Sequence, residues 1–236
     1  FNYMIKTDKK IKSHKSNWEF NKSVTDSFES HVTKSVPFYD VSHSIVEGLS
    51  DFFLKDKSTC YDLGCSTGTL LSKLKKRHSS KKISFIGYDQ SKFMIKKIKK
   101  NHKKIKFLNQ DITKTKFKKN DLTLSLYTMQ FVQPKKRQLL INKIYKSLEW
   151  GGAFVLFEKI RGKDARFQDI LNFLYFDFKR QNGLSDKQIL NKEISLRSVM
   201  EPYTINANID FLKRAGFKDI MPISQYLSFI GLLAIK

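Results

Sequence analysis

The spacing of apolar residues changes period along this chain. Between Trp18 and Leu54 it is helical, with Ile45, Leu49, Phe52 and Phe53 on one face and a break at Pro37. Short apolar runs then take over: "STCYDLG", "ISFIGYD" (83–89), "IKFLNQD" (105–111), "DLTLSLYT" (121–128) and "AFVLFEKI". Each predicts a buried strand. The segments between the first four include two amphipathic stretches, "TGTLLSKLKKRH" and "SKFMIKKIKKNH", the second with Ser91 as its N-cap. "KKRQLLINKIYKSLEWGG" predicts a third helix, ended by Gly151 and Gly152.

Strands alternating with helices predict an α/β fold, a doubly wound and mostly parallel sheet with helices on both faces. Residues 162–205 break the rhythm as a helical insert rich in aromatics, among them Phe167, Phe173, Tyr175, Phe176 and Phe178. "NIDFLKRAGF" predicts a last helix with Gly216 at its C′ position, and "KDIMPIS" and "YLSFIGLLAIK" predict two closing strands. The sheet is then seven-stranded. Residues 1–17 are Lys-rich and expected as a partly disordered basic arm, and residues 18–236 as a single domain with N-terminal helices and the insert.

Composition narrows the setting. No apolar run is long enough to cross a bilayer, and the opening residues lack the apolar segment of a signal peptide. Cys60 and Cys65 are the two cysteines, too few for a disulfide framework, so a reducing, cytoplasmic location is expected. The five histidines show no metal-ligand spacing, and no metal is expected. The net charge of +23 comes mainly from lysines spread along solvated faces. Compositional drift accounts for that better than a nucleic-acid partner, which stays the lesser reading.

The chemistry gathers at the strand ends. Asp62 precedes a loop, Gly64-Cys65-Ser66-Thr67-Gly68, in which serine stands where a nucleotide-binding turn carries its middle glycine. Asp89 ends the second strand, placed to accept ribose hydroxyls. Asp111 ends the third, placed to hold an exocyclic adenine amine while Ile112 packs on the ring. The glycine spacing departs from the dinucleotide fingerprint, whose pyrophosphate needs close backbone approach. A cofactor without phosphate tolerates Ser66. The pattern Asp-x-Gly-x-x-x-Gly resembles the class I S-adenosylmethionine (SAM) methyltransferases.

The match narrows with "SVPFYD", "YDLGCSTG", "MQFVQPKKRQLLINKIYKSLEWGGAFVLFEK", "DFKRQNGLSDKQI" and "SLRSVM". Together they resemble the carboxy-SAM synthase family from about Trp18 to Lys236. The resemblance implies a class I methyltransferase fold, usually homodimeric. It implies a reaction in which prephenate loses carbon dioxide to the SAM methyl carbon, leaving phenylpyruvate and a product used to modify the wobble uridine of tRNA. It carries cofactor contacts onto Tyr39, Gly64, Cys65, Ser66, Asp89, Gln90, Asp111 and Ile112. Gln90 replaces a usual Asn, and Leu126 stands where the family tends to have Asn.

A larger departure lies downstream. The family's carboxylate-binding arginine aligns with Glu193. Two like charges about 4 Å apart cost about 4 kcal/mol at an effective dielectric near 20, so Glu193 opposes a bound carboxylate unless a neighbour compensates. Arg197, one helical turn on, and the adjacent Lys192 are the candidates. Without compensation the expected activity is methyl transfer from SAM to a small-molecule acceptor, with Glu193 as general base or amine ligand. With it, the alternative is carboxy-SAM synthesis. Glu158, ending the fifth strand, is read as a base or, preferably, as a structural hydrogen-bonding group. Tyr203 is read as a substrate contact or a packing residue.

Overall fold

The computed structural model describes residues 5–8, 11–99 and 105–236. Strand β1 (Ile5–Lys6) pairs antiparallel with β2 (Lys12–Ser13), ahead of helices α1 (Lys22–Asp26), α2 (Phe28–Ser35) and α3 (Tyr39–Phe53). Then come β3 (Thr59–Leu63), α4 (Thr69–Arg77), β4 (Ser84–Asp89), α5 (Lys92–Lys99), β5 (Lys106–Asn109) and β6 (Asn120–Leu126). They are followed by α6 (Pro134–Ser147), β7 (Leu148–Lys159), α7 (Ala165–Gln181) and α8 (Asp186–Leu196). Helix α9 (Ile205–Ala215) and strands β8 (Asp219–Tyr226) and β9 (Phe229–Ile235) complete the described chain.

The main sheet has the expected seven strands, in the order β5-β4-β3-β6-β7-β9-β8. Neighbours from β5 to β7 run parallel, and β9 runs antiparallel to both β7 and β8. The order reverses beside β3, whose neighbours are β4 and β6. In an open α/β sheet a ligand crevice opens there, at the carboxyl ends of the strands.

Alternation along the strands feeds two apolar layers. On one face Ala153, Val155 and Phe157 of β7 join Leu71, Leu74, Phe85 and Leu122. On the other, Phe154 and Leu156 join Ile141, Ile144, Leu212 and Phe217. Strands covered on both faces read as continuous apolar runs, which is why "AFVLFEKI" was legible as a strand. Gly216, with φ of +119°, ends α9, and its N–H donates to the Leu212 and Lys213 carbonyls, as expected of a C-terminal glycine.

Four expectations change. The arm at residues 1–17 is structured where it is described: Ile11 is fully buried against Trp18, Val24 and Leu196, an apolar anchor that the surrounding lysines hid. In α3, Phe52 points outward, 78% exposed, while Val46 and Ser50 are buried. Ser50 can sit inside because its hydroxyl donates to the Glu47 carbonyl, a local bond that satisfies it without water. Helix α6 ends at Ser147 rather than at the glycines, because Leu148 turns extended and pairs with Asn120, whose side-chain amide donates to the Ser147 carbonyl. The third strand is shorter than drawn, spanning Lys106–Asn109. The end of the second predicted helix, residues 100–102, lies outside the described residues.

Candidate functional site

A cavity of about 480 Å³ opens at the switch point, within the size range of small-molecule sites. Its floor is the loop after β3. Gly64 has φ of +85°, and a Cβ there would lie 2.1 Å from the Thr128 hydroxyl, so only glycine fits. The Gly64 and Cys65 amides both donate to the Tyr88 carbonyl, at 2.7 and 3.0 Å, tying the loop to β4. Ser66 adopts φ of +49°, the left-handed region that glycine would take without strain. Its N–H donates to Asp89 Oδ2 at 2.9 Å, which holds it there. Gly68 departs from the cofactor role expected of it: it is absent from the cavity wall. It starts α4 with φ of +75°, and a Cβ would meet the Phe107 ring at 2.9 Å.

Tyr39, Asp62, Gly64, Cys65, Ser66, Asp89, Gln90, Asp111, Ile112 and Leu126 all line this cavity. They form its acidic end. Burial, and then the nearby Asp89, push the Asp62 carboxyl up to about 7. Burial pushes Asp89 up to about 6, against the hydrogen bonds it accepts from Ser91 and Ser66. Two adjacent buried acids that resist ionisation suit a cationic ligand group such as the ammonium of an amino-acid tail. Burial also raises Asp111, but hydrogen bonds from the Thr113 hydroxyl and N–H, both at 2.8 Å to Oδ1, outweigh it and keep the pKa lowered. Tyr39 is pushed far up by burial, so its phenol stays protonated and able to donate.

The opposite end is basic, and its convergence is largely hidden in the sequence. Lys159 at the end of β7, Lys179 on α7 and Lys192 on α8 all reach the cavity wall. Glu193 stands among them, and its Oε1 accepts from Lys179 Nζ at 2.8 Å. Burial works to raise Glu193, but Lys179, Lys159 and Lys192 outweigh it, so its carboxyl lies below the ordinary value. Burial lowers Lys159 to about 8, helped by Lys179 and Arg161 and opposed by Glu193. Lys192 is lowered well below its ordinary value by burial and by Lys179. Tyr175 is sandwiched in this cluster, with the Lys159 and Lys179 ammoniums 4.5 and 3.9 Å from its ring centre. Its hydroxyl donates to the Ser35 carbonyl at 2.6 Å. A lysine in "DFKR" and another at the end of a strand were visible signals. Nothing local said that they converge.

The structure places three further candidates elsewhere. Arg197 ends α8, is exposed, and does not reach the cavity, so compensation for Glu193 falls to lysines. Glu158 is buried behind the wall, its carboxyl pushed up to about 8 by burial. It accepts the Met129 N–H at 2.8 Å and so braces the short turn Met129–Phe131. Tyr203 packs edge-on against Phe211 and under the Arg137 guanidinium, away from the cavity.

Sheet order, loop and acidic strand ends define a class I SAM-dependent methyltransferase fold. Residues 61–152 match the methyltransferase domain family model. The human N-acetylserotonin methyltransferase, solved in complex with SAM, superposes with a TM-score of 0.60 at 16% identity, covering 91% of this chain and 58% of that one. The particular family follows from whole-chain similarity. Carboxy-S-adenosyl-L-methionine synthase of Staphylococcus epidermidis is 36% identical over 225 residues, 93% of this chain and 97% of that protein. The enzyme of the same name from Nautilia profundicola is 35% identical over 223 residues, 93% and 94%. The chain belongs to the carboxy-S-adenosyl-L-methionine synthase family and is a SAM-dependent transferase. Among the described residues no helix is long and apolar enough to cross a membrane.

Proposed function

We propose that this protein makes carboxy-SAM from SAM and prephenate. One observation supports this over plain methyl transfer: three lysines meet a single carboxylate, Glu193, at the basic end of the cavity. The repulsion expected of Glu193 is offset because its oxygen is already held by Lys179. With only Glu193 among them, burial weakens the hold of these lysines on their protons, and repulsion from Lys179 adds to it at Lys159 and Lys192. A bound carboxylate reverses that trend, since an opposite charge favours the protonated amine. Glu193 is a poor general base for an acceptor, because its lowered pKa gives it little affinity for a proton.

In this reading Asp62 and Asp89 orient the nucleoside and its ammonium tail, while Lys159, Lys179 and Lys192 face the carboxylates of product and second substrate. SAM would supply the methyl carbon that takes up the carbon dioxide released by prephenate, the proton lost from that carbon leaving as water with the hydroxyl that prephenate loses on becoming phenylpyruvate. A homodimer and a cytoplasmic setting belong to the same reading. The exposed apolar side chains of Phe167, Ile170, Phe173 and Leu174 on α7 support the dimer. The test is mass spectrometry of purified protein incubated with SAM and prephenate. Carboxy-SAM and phenylpyruvate in equal amounts are expected. S-adenosylhomocysteine with unconsumed prephenate would favour methyl transfer instead.

A further inference from the structure

A second cavity, of about 440 Å³, lies between α6 and the loop after β5, outside the site described so far. Lys114, Lys136, Lys143 and Lys146 line it with Thr113 and Asn142, and among the described residues no acid does. Positions 136, 139, 143 and 146 fall three or four apart, so one face of α6 borders the groove while Leu140, Ile141 and Ile144 are buried on the other. Lys143 Nζ donates to the Thr113 carbonyl at 2.8 Å and fastens the loop to the helix. The stretches that supply the groove, 112–120 and 134–148, contain no Asp or Glu. The acids flanking them are engaged elsewhere. Asp111 accepts from the Thr113 hydroxyl and N–H, Asp121 accepts the Thr59 N–H, and Glu149 lies 3.6 Å from Lys119. Among the described residues none of the four groove lysines makes an ion pair. Their like charges repel one another, and a bound polyanion removes that cost.

We propose that this groove binds nucleic acid through its phosphate backbone, without preference for base sequence. Lys136 and Lys146 lie about 15 Å apart along the helix axis. Phosphates of one strand advance about 3.4 Å each, so about four of them face this span, matching the lysines on offer. Thr113 and Asn142 add neutral side chains of the kind that accompany Lys at phosphates. No aromatic ring of the described residues lines the groove, so bases have nothing to stack on and the contact stays with the backbone. The same lack argues against a protein partner. Leu139 is the apolar side chain exposed there, whereas protein interfaces centre on buried aromatic or Arg anchors. Net charge spread along the chain identifies no partner; a concave, acid-free set of lysines without ion pairs does. The inference rests on the groove and not on the proposed reaction.

The test measures binding of the full chain to a short fluorescent DNA duplex of arbitrary sequence, by anisotropy, between about 50 and about 200 mM salt. Lys136 is left in place, since it also lines the main cavity. Lys114→Gln, Lys143→Gln and Lys146→Gln together should weaken binding about tenfold or more, and lower the slope of log affinity against log salt by about two to three. Lys55→Gln, Lys76→Gln and Lys187→Gln together remove the same charge from exposed positions on other elements. They should change affinity by no more than about twofold. The charge-retaining set Lys114→Arg, Lys143→Arg and Lys146→Arg should bind within about threefold of the wild type, which separates lost charge from a disturbed fold. Equal losses in the two glutamine variants would reduce the effect to net charge and overturn the inference. So would a wild type that does not bind the duplex, an arginine variant as weak as its glutamine counterpart, or poly-glutamate binding as tightly as the duplex.

Discussion

The two ends of the cavity are built by different rules. The acidic end comes from three consecutive strand ends and the turn after β3, so its residues fall at regular intervals: Asp62, Asp89, Asp111. Sheet topology alone brings them together. The basic end is assembled from β7, α7 and α8, with α2 and the N-terminal segment closing over it. Its members, His31, Lys159, Lys179, Lys192 and Glu193, share no motif. One end is a property of the fold class; the other draws on stretches that resemble the carboxy-SAM synthase family, with Glu193 as the departure. In the proposed reaction the contrast in charge between them orients the ligand, with its cationic tail at the aspartates and its anionic group at the lysines.

Gly64→Val should have the largest effect. It forces a β-branched residue into a left-handed backbone and drives its Cβ into Thr128. A loss of about 3 kcal/mol or more is expected, read as a fall in melting temperature with abolished SAM binding. Retained SAM affinity would mean that the loop does not form the cofactor floor.

Glu193→Ala separates the two ends. It leaves Lys179 buried without its partner. Removing one member of a fully buried pair costs about 3–5 kcal/mol; because the Glu193 side chain is about a third exposed, about 2 kcal/mol is expected from denaturant unfolding. SAM affinity should stay within about twofold, since no acidic-end contact changes.

A pH titration tests the acidic end alone. Asp62 and Asp89 have raised pKa values, about 7 and about 6, in the ligand-free protein. An ammonium bound beside them favours their ionised forms, so binding releases protons and affinity rises with pH until the ligand-free groups have ionised. The Kd for SAM, measured by calorimetry, should tighten by about tenfold or more from pH 5 to pH 7 and flatten above. The same raised values make ligand-free stability from these groups greatest below about pH 4, and it is lost as pH rises through 6 to 7. Arg197→Ala should do least. The side chain is exposed and away from the cavity, so changes within about 0.5 kcal/mol in stability and about twofold in turnover are expected.

Legibility in the sequence followed the same division. Continuous apolar runs located the seven strands of the main sheet and period-3.6 runs most helices, and the strand-end aspartates could be read as a site because topology, not packing, juxtaposes them. Ser66 was read as tolerated for want of a phosphate. The structure adds that it takes up glycine's backbone conformation and is held there by Asp89. Glu193 drew attention as a departure, but its meaning depended on Lys179, fourteen residues earlier on another helix. His31, on α2 in the cavity wall, carried no signal, because its partner Asp8 lies in a segment that composition marked as a disordered arm. Such pairs are set by tertiary packing and leave no periodic trace.

In the proposed reaction the basic end selects a carboxylate despite Glu193. Equilibrium binding of carboxy-SAM and of SAM to the wild-type protein at pH 7 tests it most directly. The two ligands differ by one carboxylate on the methyl carbon. Carboxy-SAM should bind at least about tenfold tighter, the margin expected of a charge-assisted contact in a partly buried site. SAM binding as tightly as carboxy-SAM, or more tightly, would contradict the claim and return Glu193 to the repulsive role that its sequence position first suggested.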